Sequence, residues 1–151
     1  MPTTRLKEFL ESNRVAHQVI PHPVAFTATG VAGAAHISGK EMAKTVMVNL
    51  DGHLAMAVVP ANRKVDLERL RQAAGALHAE LAEEREFAGG FPGCEPGAMP
   101  PFGNLYGMEV FVEPHLAADA QIAFNAGSHT ELVRMSYRDF ERLTHPKLVD
   151  M

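Results

Sequence analysis

Apolar residues along this chain recur with two periods, and the changes between them divide it into helices and strands. A period of about 3.6 predicts a helix over 4–13 and another after a cap at Asp66. A segment rich in Ala and Gly predicts a capped helix over 27–35, and a last helix is expected to start at Ser136. A short helix is also expected over 80–87, ahead of a long loop. The predicted helices are therefore short, as in a small globular domain.

Alternation of apolar and polar positions predicts a strand over 17–20, and short, mostly apolar stretches predict the others, with turn residues at several of their ends. These strands span 17–20, 45–50, 54–59, 108–112, 121–125 and 131–135. Asp51-Gly52 stands between the second and third strands and is a typical hairpin turn. Runs of strands with helices between them favour a mixed, mostly antiparallel sheet, so the predicted fold class is α+β.

Length and composition place these elements in a single domain. With 151 residues and no internal repeat or linker, the chain is expected to form one domain over 1–151. Cys94 is the single cysteine, which excludes an internal disulfide. No apolar run approaches the ~18 residues of a membrane span, and the first residues lead into an amphipathic stretch. A cytoplasmic protein without a membrane partner is the expectation.

The charge of the chain is unevenly distributed. The net charge is −4, which argues against a general nucleic-acid coat protein. Residues 1–75 carry nine Lys and Arg against six Asp and Glu, whereas residues 76–151 carry five against twelve. A polyanion should therefore approach through the N-terminal half. A solvated acidic surface without any partner explains the same charges.

The segment 89–107 has the most unusual composition in the chain. It holds six glycines and four prolines in nineteen residues. Prolines fix φ and glycines permit positive φ, so together they can hold the backbone in a rigid, irregular path. Within it the amides of Gly97, Ala98 and Met99 could form a concave set of donors for an anion or an oxyanion. A plain surface connection is the alternative.

Few side chains outside this loop suggest chemistry. Lys44 stands at the start of an apolar strand, where most lysines are surface residues; the functional alternative is a point charge that grips a phosphate or carboxyl group. Ser128 and His129 are neighbours in an extended segment, so they point to opposite faces and do not suit a nucleophile and its base. His129 could orient a substrate or close a turn.

Cysteine and metal chemistry are less favoured. Glu95 beside Cys94 would raise the pKa of the thiol, so a structural cysteine is preferred over a nucleophile. The eight histidines show none of the spacings typical of metal ligands. We therefore expect neither a metal nor a cofactor.

Three segments taken together resemble one family. They are Ala43-Lys44-Thr45-Val46-Met47-Val48, the loop from Cys94 to Gly103, and Asn125-Ala126-Gly127-Ser128-His129. In this order and spacing they are similar to the YbaK and prolyl-tRNA synthetase-associated editing domains, which include stand-alone trans-editing deacylases. The resemblance implies an α+β domain whose mixed sheet is barrel-like and flanked by helices.

The resemblance also implies an activity, hydrolysis of the ester bond of mischarged aminoacyl-tRNA. By residue match, Lys44 takes the place of the family lysine and would grip the 3′ end of the tRNA. Gly97 to Pro101 takes the place of the Gly-x-x-x-Pro loop, with Gly97, Ala98 and Met99 as oxyanion donors. The doubled Pro100-Pro101 departs from members that read Gly-Pro there and removes one potential donor. The expected substrate-binding residues are Phe26, Thr45, Met47, Pro100, Pro101, Phe102, Gly103, Gly127, Ser128 and His129.

Two further hypotheses remain beside the deacylase. The absence of a persuasive side-chain base favours a non-catalytic module of the same fold that binds an aminoacyl group, a nucleotide or a partner. A cysteine hydrolase that uses Cys94 is the other. The partner implied by the resemblance is the 3′ acceptor end of aminoacyl-tRNA, and an aminoacyl-tRNA synthetase is a further candidate.

Overall fold

The computed structural model describes residues 4–95 and 97–151, and it has the predicted α+β architecture. In the described residues the helices are α1 Thr4–Ser12, α2 Ala28–Ala34, α3 Leu67–Ala74, α4 Glu84–Phe87, α5 Pro114–Ala117 and α6 Tyr137–Thr144. The strands are β1 His17–Pro21, β2 Ala43–Leu50, β3 His53–Pro60, β4 Ala79–Leu81, β5 Glu109–Val112, β6 Gln121–Asn125, β7 Glu131–Ser136 and β8 Lys147–Leu148. A 3-10 turn covers Gly103–Leu105.

The strands form two sheets. The smaller has the order β1-β7-β6 and is antiparallel, whereas the larger has the order β4-β2-β3-β5-β8. In the larger sheet β4, β2 and β3 pair antiparallel, and β3, β5 and β8 pair parallel. A parallel bridge between Met42 and Ala123 connects the sheets. The mixed, mostly antiparallel sheet is thus confirmed, but the sheets do not close into a barrel.

Local sequence signals account for the longer elements. Thr27, Asp66 and Ser136 each accept a hydrogen bond from the backbone at the start of the helix that follows, as expected of N-caps. Asp51-Gly52 forms the β2–β3 turn with positive φ at both residues, which suits the right-handed twist of a hairpin.

The helix expected over 80–87 is wrong in its first half. Ala79–Leu81 instead form β4, and only Glu84–Phe87 are helical. The cause is tertiary: Ala79 pairs with Leu50 and Leu81 with Val48, so β2 recruits this segment as an edge strand. Pairing with a neighbouring strand outweighs the weak local preference for helix.

The main core takes side chains from both sheets and contains a cluster of aromatic rings. Phe102 lies 5.4 Å from Phe124 and 5.4 Å from Phe140 between ring centroids, and all three side chains are fully buried. Leu6 and Leu10 of α1 are also buried in this core. It fixes the C-terminal part of the 89–107 loop and, with it, the backbone that approaches β2.

In the described residues no helix is both long and apolar enough to cross a membrane.

Candidate functional site

A cavity of about 390 Å³ lies where β2 begins, β6 ends and the 89–107 loop passes α2. Its size falls within the range common for small-molecule sites. The strand start at 43–48 and the loop at 94–103 therefore meet at one place. Asn125, the first residue of the third segment that carries the resemblance, lies there too. The lining residues are Phe26, Thr27, Ala28, Thr29, Ala43, Lys44, Thr45, Val46, Ala61, Gly97, Met99 and Asn125.

Lys44 supplies the positive charge of this cavity. It pairs with Val59 in the hairpin, and its Nζ donates a hydrogen bond to the carbonyl oxygen of Arg63 at 2.7 Å. Partial burial lowers the pKa of the Lys44 ammonium, and the nearby charge of Lys64 lowers it further. Because no described carboxylate lies within ion-pair distance of it, this ammonium would be stabilised by an anion entering the cavity.

The loop is fastened to the segment that follows β6. Glu95 N–H donates to the Gly127 carbonyl at 2.7 Å, and Gly127 N–H donates to the Ala98 carbonyl at 2.8 Å. The Glu95 carboxylate also accepts from His129 N–H at 2.7 Å. Gly97 and Gly127 have φ of +81° and +104°, a region that L side chains rarely adopt. The two glycines allow the backbone conformation in which the loop and the segment after β6 make these hydrogen bonds.

These hydrogen bonds correct the expected set of oxyanion donors. Ala98 N–H donates to the Glu95 carbonyl at 3.0 Å and Ala98 is fully buried, so its amide is not available to a ligand. Across residues 4–95 and 97–151, no hydrogen bond uses the amides of Gly97 or Met99, and both residues line the cavity. The candidate donors are therefore two amides rather than three.

Phe26 forms the rim of the cavity, and His129 packs against it. Phe26 is 74% exposed and its ring lies 4.8 Å from the His129 ring between centroids. His129 is buried, and its Cε1 would be 3.7 Å from a Cβ placed on Gly97. His129 thus supports the aromatic rim and the loop from behind rather than lining the cavity itself.

The remaining predicted binding residues occupy three kinds of position. Thr45 lines the cavity as expected. Met47 and Phe102 are core residues, and Gly103 packs so tightly that a Cβ would lie 2.5 Å from the carbonyl oxygen of Met108. Ser128 is half-buried, and its hydroxyl lies 3.3 Å from that of Thr130. Those that do not line the cavity are Met47, Pro100, Pro101, Phe102, Gly103, Gly127, Ser128 and His129.

Three neutral polar residues of the lining were not predicted. Thr27 and Thr29 come from the start of α2, and Asn125 from the end of β6. The Asn125 Oδ1 is buried and has no hydrogen-bond partner among the described residues. Thr27 was the first residue of the predicted helix over 27–35, and Asn125 was the first residue of the Asn125-Ala126-Gly127-Ser128-His129 motif. Neither signal distinguished a ligand contact from a turn.

Cys94 lies outside the cavity lining. Its Sγ is 4.0 Å from the Tyr106 hydroxyl, and burial raises the pKa of the thiol. A raised pKa reduces the thiolate fraction that a nucleophile needs. Within the described part of the chain, no group of three His, Cys, Asp or Glu side chains could hold a metal ion.

Comparison with solved structures supports the fold. A hypothetical protein of known structure superposes with a TM-score of 0.84 at 18% identity, covering 96% of this chain and 98% of its own. A structure described as a candidate trans-editing enzyme for prolyl-tRNA synthetase gives a TM-score of 0.82 at 19% identity, covering 97% of this chain and 93% of its own. At these identities the likeness concerns the fold alone.

Sequence comparison defines the family. The multifunctional Ser/Thr-tRNA deacylase ProXp-y of Escherichia coli (strain K12) is 33% identical over 96 residues, which are 63% of this chain and 57% of that protein. The matched region is thus little more than half of that curated relative. The model of the aminoacyl-tRNA editing domain matches residues 22–143, which include Lys44, the loop and the segment after β6. The predicted resemblance is therefore confirmed, and the chain belongs to the aminoacyl-tRNA editing domain family.

Proposed function

We propose that this protein is an aminoacyl-tRNA deacylase that hydrolyses the ester bond of mischarged tRNA in trans. One observation carries the proposal: Lys44, Gly97 and Met99 line the same cavity, and among the described residues no hydrogen bond uses the amides of Gly97 and Met99. An aminoacyl ester is already activated, so a catalyst mainly has to position it with a water molecule and stabilise the tetrahedral oxyanion. A cation and two main-chain donors at one cavity suit those two tasks.

The amides of Gly97 and Met99 are assigned to the oxyanion. Water adds to the ester carbonyl, and the negative charge that develops on the carbonyl oxygen requires donors already in place. The hydrogen bonds that tie Glu95, Ala98 and Gly127 together hold this stretch of backbone before the substrate arrives. Loss of one donor of this type typically costs about 2.7–4 kcal/mol of transition-state stabilisation.

Lys44 is assigned to the 3′ end of the tRNA. A half-buried ammonium whose hydrogen bond goes to a neutral carbonyl would gain an opposite charge from the terminal phosphate. This contact is the same before and during the reaction. It should therefore lower KM more than it raises kcat.

The proton transfers are assigned to the substrate. The described lining of the cavity contains no His, Asp, Glu or Cys that could act as a general base. The vicinal ribose hydroxyl is then the group that assists the attacking water. When the ester C–O bond breaks, the ribose oxygen leaves with a proton and the free amino acid is released.

Seryl and threonyl esters are the proposed substrates. Thr27, Thr29, Thr45 and Asn125 give the cavity hydroxyl and amide groups that can pair with a side-chain hydroxyl. A site built to hydrogen-bond a hydroxyl rejects an analogue without it more strongly than an apolar pocket rejects one methylene. The printed name of the E. coli relative, a Ser/Thr-tRNA deacylase, supports the same class. Recruitment by a synthetase stays a prediction.

A panel of mischarged tRNAs tests this function. Seryl-, threonyl-, alanyl- and cysteinyl-tRNA would be incubated with the wild type, with Lys44→Ala and with Lys7→Ala, an exposed α1 lysine outside the cavity. We expect hydrolysis of seryl- and threonyl-tRNA by the wild type and Lys7→Ala, and a much slower reaction with Lys44→Ala. Rates equal to buffer for every ester would reject the deacylase, and saturable binding without turnover would instead favour a binding module.

A further inference from the structure

We infer that Glu113 is a positioning residue that holds the Lys44 ammonium in place through Arg63. The inference rests on the proposed function, because it concerns the cation assigned to the tRNA 3′ end. Glu113 follows β5 and lies outside the cavity lining, and no sequence pattern marked it. Its influence on the site would pass through two contacts of Arg63, one made by the side chain and one by the main chain.

The first contact is a partly buried ion pair. Arg63 Nη1 donates to Glu113 Oε1 at 2.8 Å, and the Glu113 side chain is only 1% exposed whereas that of Arg63 is 45% exposed. The carboxylate also contacts His115 Nδ1 and accepts from His115 N–H at 3.0 Å, where it caps α5. Glu113 N–H donates to the Val58 carbonyl at 2.9 Å, so its backbone is fixed to β3.

The second contact connects Arg63 to the cavity. The carbonyl oxygen of Arg63 accepts the hydrogen bond from Lys44 Nζ at 2.7 Å. Arg63 itself closes a turn, since its N–H donates to the Pro60 carbonyl at 3.0 Å. Residues 62–64 are exposed and lie between β3 and α3. Besides this turn, the Arg63 guanidinium anchors the segment to the body of the protein, because its Nη1 contacts both Glu113 Oε1 at 2.8 Å and His115 Nδ1 at 2.7 Å.

A buried carboxylate of this kind is retained at a cost. Removing a carboxylate from water is unfavourable, and its pairing with a partly exposed arginine repays that cost only when the geometry is well fixed. The ion pair is therefore weak evidence for stability, and the role assigned to it here is to restrict where the Arg63 side chain lies. When the position of Arg63 is restricted, the position of its carbonyl oxygen is restricted too. The long, flexible side chain of Lys44 is then held at one place by its hydrogen bond to that oxygen.

A double-mutant cycle separates this role from a merely structural one. Glu113→Gln keeps the size of the side chain and removes its charge, and it would be combined with Lys44→Ala. In the wild-type background we expect Glu113→Gln to raise KM for seryl-tRNA by roughly 5-fold or more, with kcat changed less. In the Lys44→Ala background the same substitution should change KM by less than about 2-fold, because the group it acts through is gone.

Two controls keep the result interpretable. Asp139→Asn removes the Asp139–Arg142 ion pair of α6, which lies outside the cavity lining, and should leave KM unchanged in both backgrounds. If Glu113→Gln does not fold, the variant Arg63→Lys is used in its place. Lysine keeps the positive charge but lacks the guanidinium group that donates to the Glu113 carboxylate. Equal effects of the substitution with and without Lys44 would overturn the inference while leaving the deacylase intact.

A second readout does not depend on activity. In the wild type the two Cε protons of Lys44 should have distinct NMR shifts, because the ammonium is held at one acceptor. In Glu113→Gln they should merge as the side chain becomes mobile. Distinct shifts that persist in Glu113→Gln would reject the inference even if no tRNA ester were hydrolysed, whereas failure of the wild type on every ester would reject only the proposed function.

Discussion

The substitution Lys44→Met isolates the charge that the account places at the tRNA 3′ end. Methionine keeps an unbranched, apolar stem of similar length and removes the ammonium. The structure predicts little loss of stability, because partial burial already lowers the pKa of Lys44 and so penalises its charged form. The hydrogen bond to the Arg63 carbonyl is lost, but that segment is exposed and water can replace the donor.

The size of the functional effect follows from the dielectric environment. Two opposite charges about 4 Å apart attract by about 1 kcal/mol in bulk water and by about 4 kcal/mol near a protein surface. Lys44 is half-buried at the edge of an open cavity, so about 1–3 kcal/mol is the expected range. That energy corresponds to a roughly 5- to 150-fold loss of kcat/KM, most of it through KM.

The assay is steady-state hydrolysis of labelled seryl-tRNA, with thermal unfolding of each variant measured in parallel. Lys7→Met on α1 is the matched control, since it removes an exposed ammonium outside the cavity. The reasoning is refuted if Lys44→Met retains kcat/KM within about 2-fold of the wild type. It is also refuted if the loss occurs entirely in kcat, because Lys44 would then act on the transition state rather than on the bound end.

Four further predictions concern the pH dependence and three other positions in the molecule. Burial and the nearby charge of Lys64 lower the pKa of Lys44 below the ordinary lysine value of 10.5, so the ammonium loses its proton at a lower pH than a free lysine does. After subtraction of the uncatalysed rate, kcat/KM should therefore begin to fall at a pH below 10.5. Gly103→Ala places a methyl group 2.5 Å from a carbonyl oxygen and should cost about 1–3 kcal/mol of unfolding free energy, measured by denaturant. Gly33→Ala in α2 meets no atom within 4 Å and should be neutral or stabilising. Cys94→Ser should leave kcat/KM unchanged, and loss of activity would revive the cysteine mechanism.

The fold could be predicted where an element is long enough to show a period. β2 and β3 are eight residues long each and mostly apolar, and Asp51-Gly52 between them is a hairpin turn signal, so the predicted hairpin was confirmed. β4 has three residues and β8 has two, and strands this short have no measurable period. Both form because a longer strand offers an unpaired edge, which only the tertiary structure reveals.

The candidate site could be predicted only in outline. The loop was visible because its content of Gly and Pro is unusual, whereas Lys44 was singled out by the resemblance to the editing domains and not by its local sequence. The occupation of the Ala98 amide was not visible, since it depends on where the Glu95 carbonyl lies. Glu113 was equally hidden, because nothing in its local sequence distinguishes a buried anchor from a surface carboxylate.

The most direct test is an NMR titration with a seryl-adenosine analogue in which an amide replaces the 3′ ester. Backbone amide shifts of Gly97 and Met99 and the side-chain shifts of Lys44 would be followed together. The account predicts that these three residues respond at the same ligand concentration, with the Ala98 amide proton nearly unchanged. Shifts confined to another surface, or a response of Lys44 without the two amides, would contradict a shared cavity.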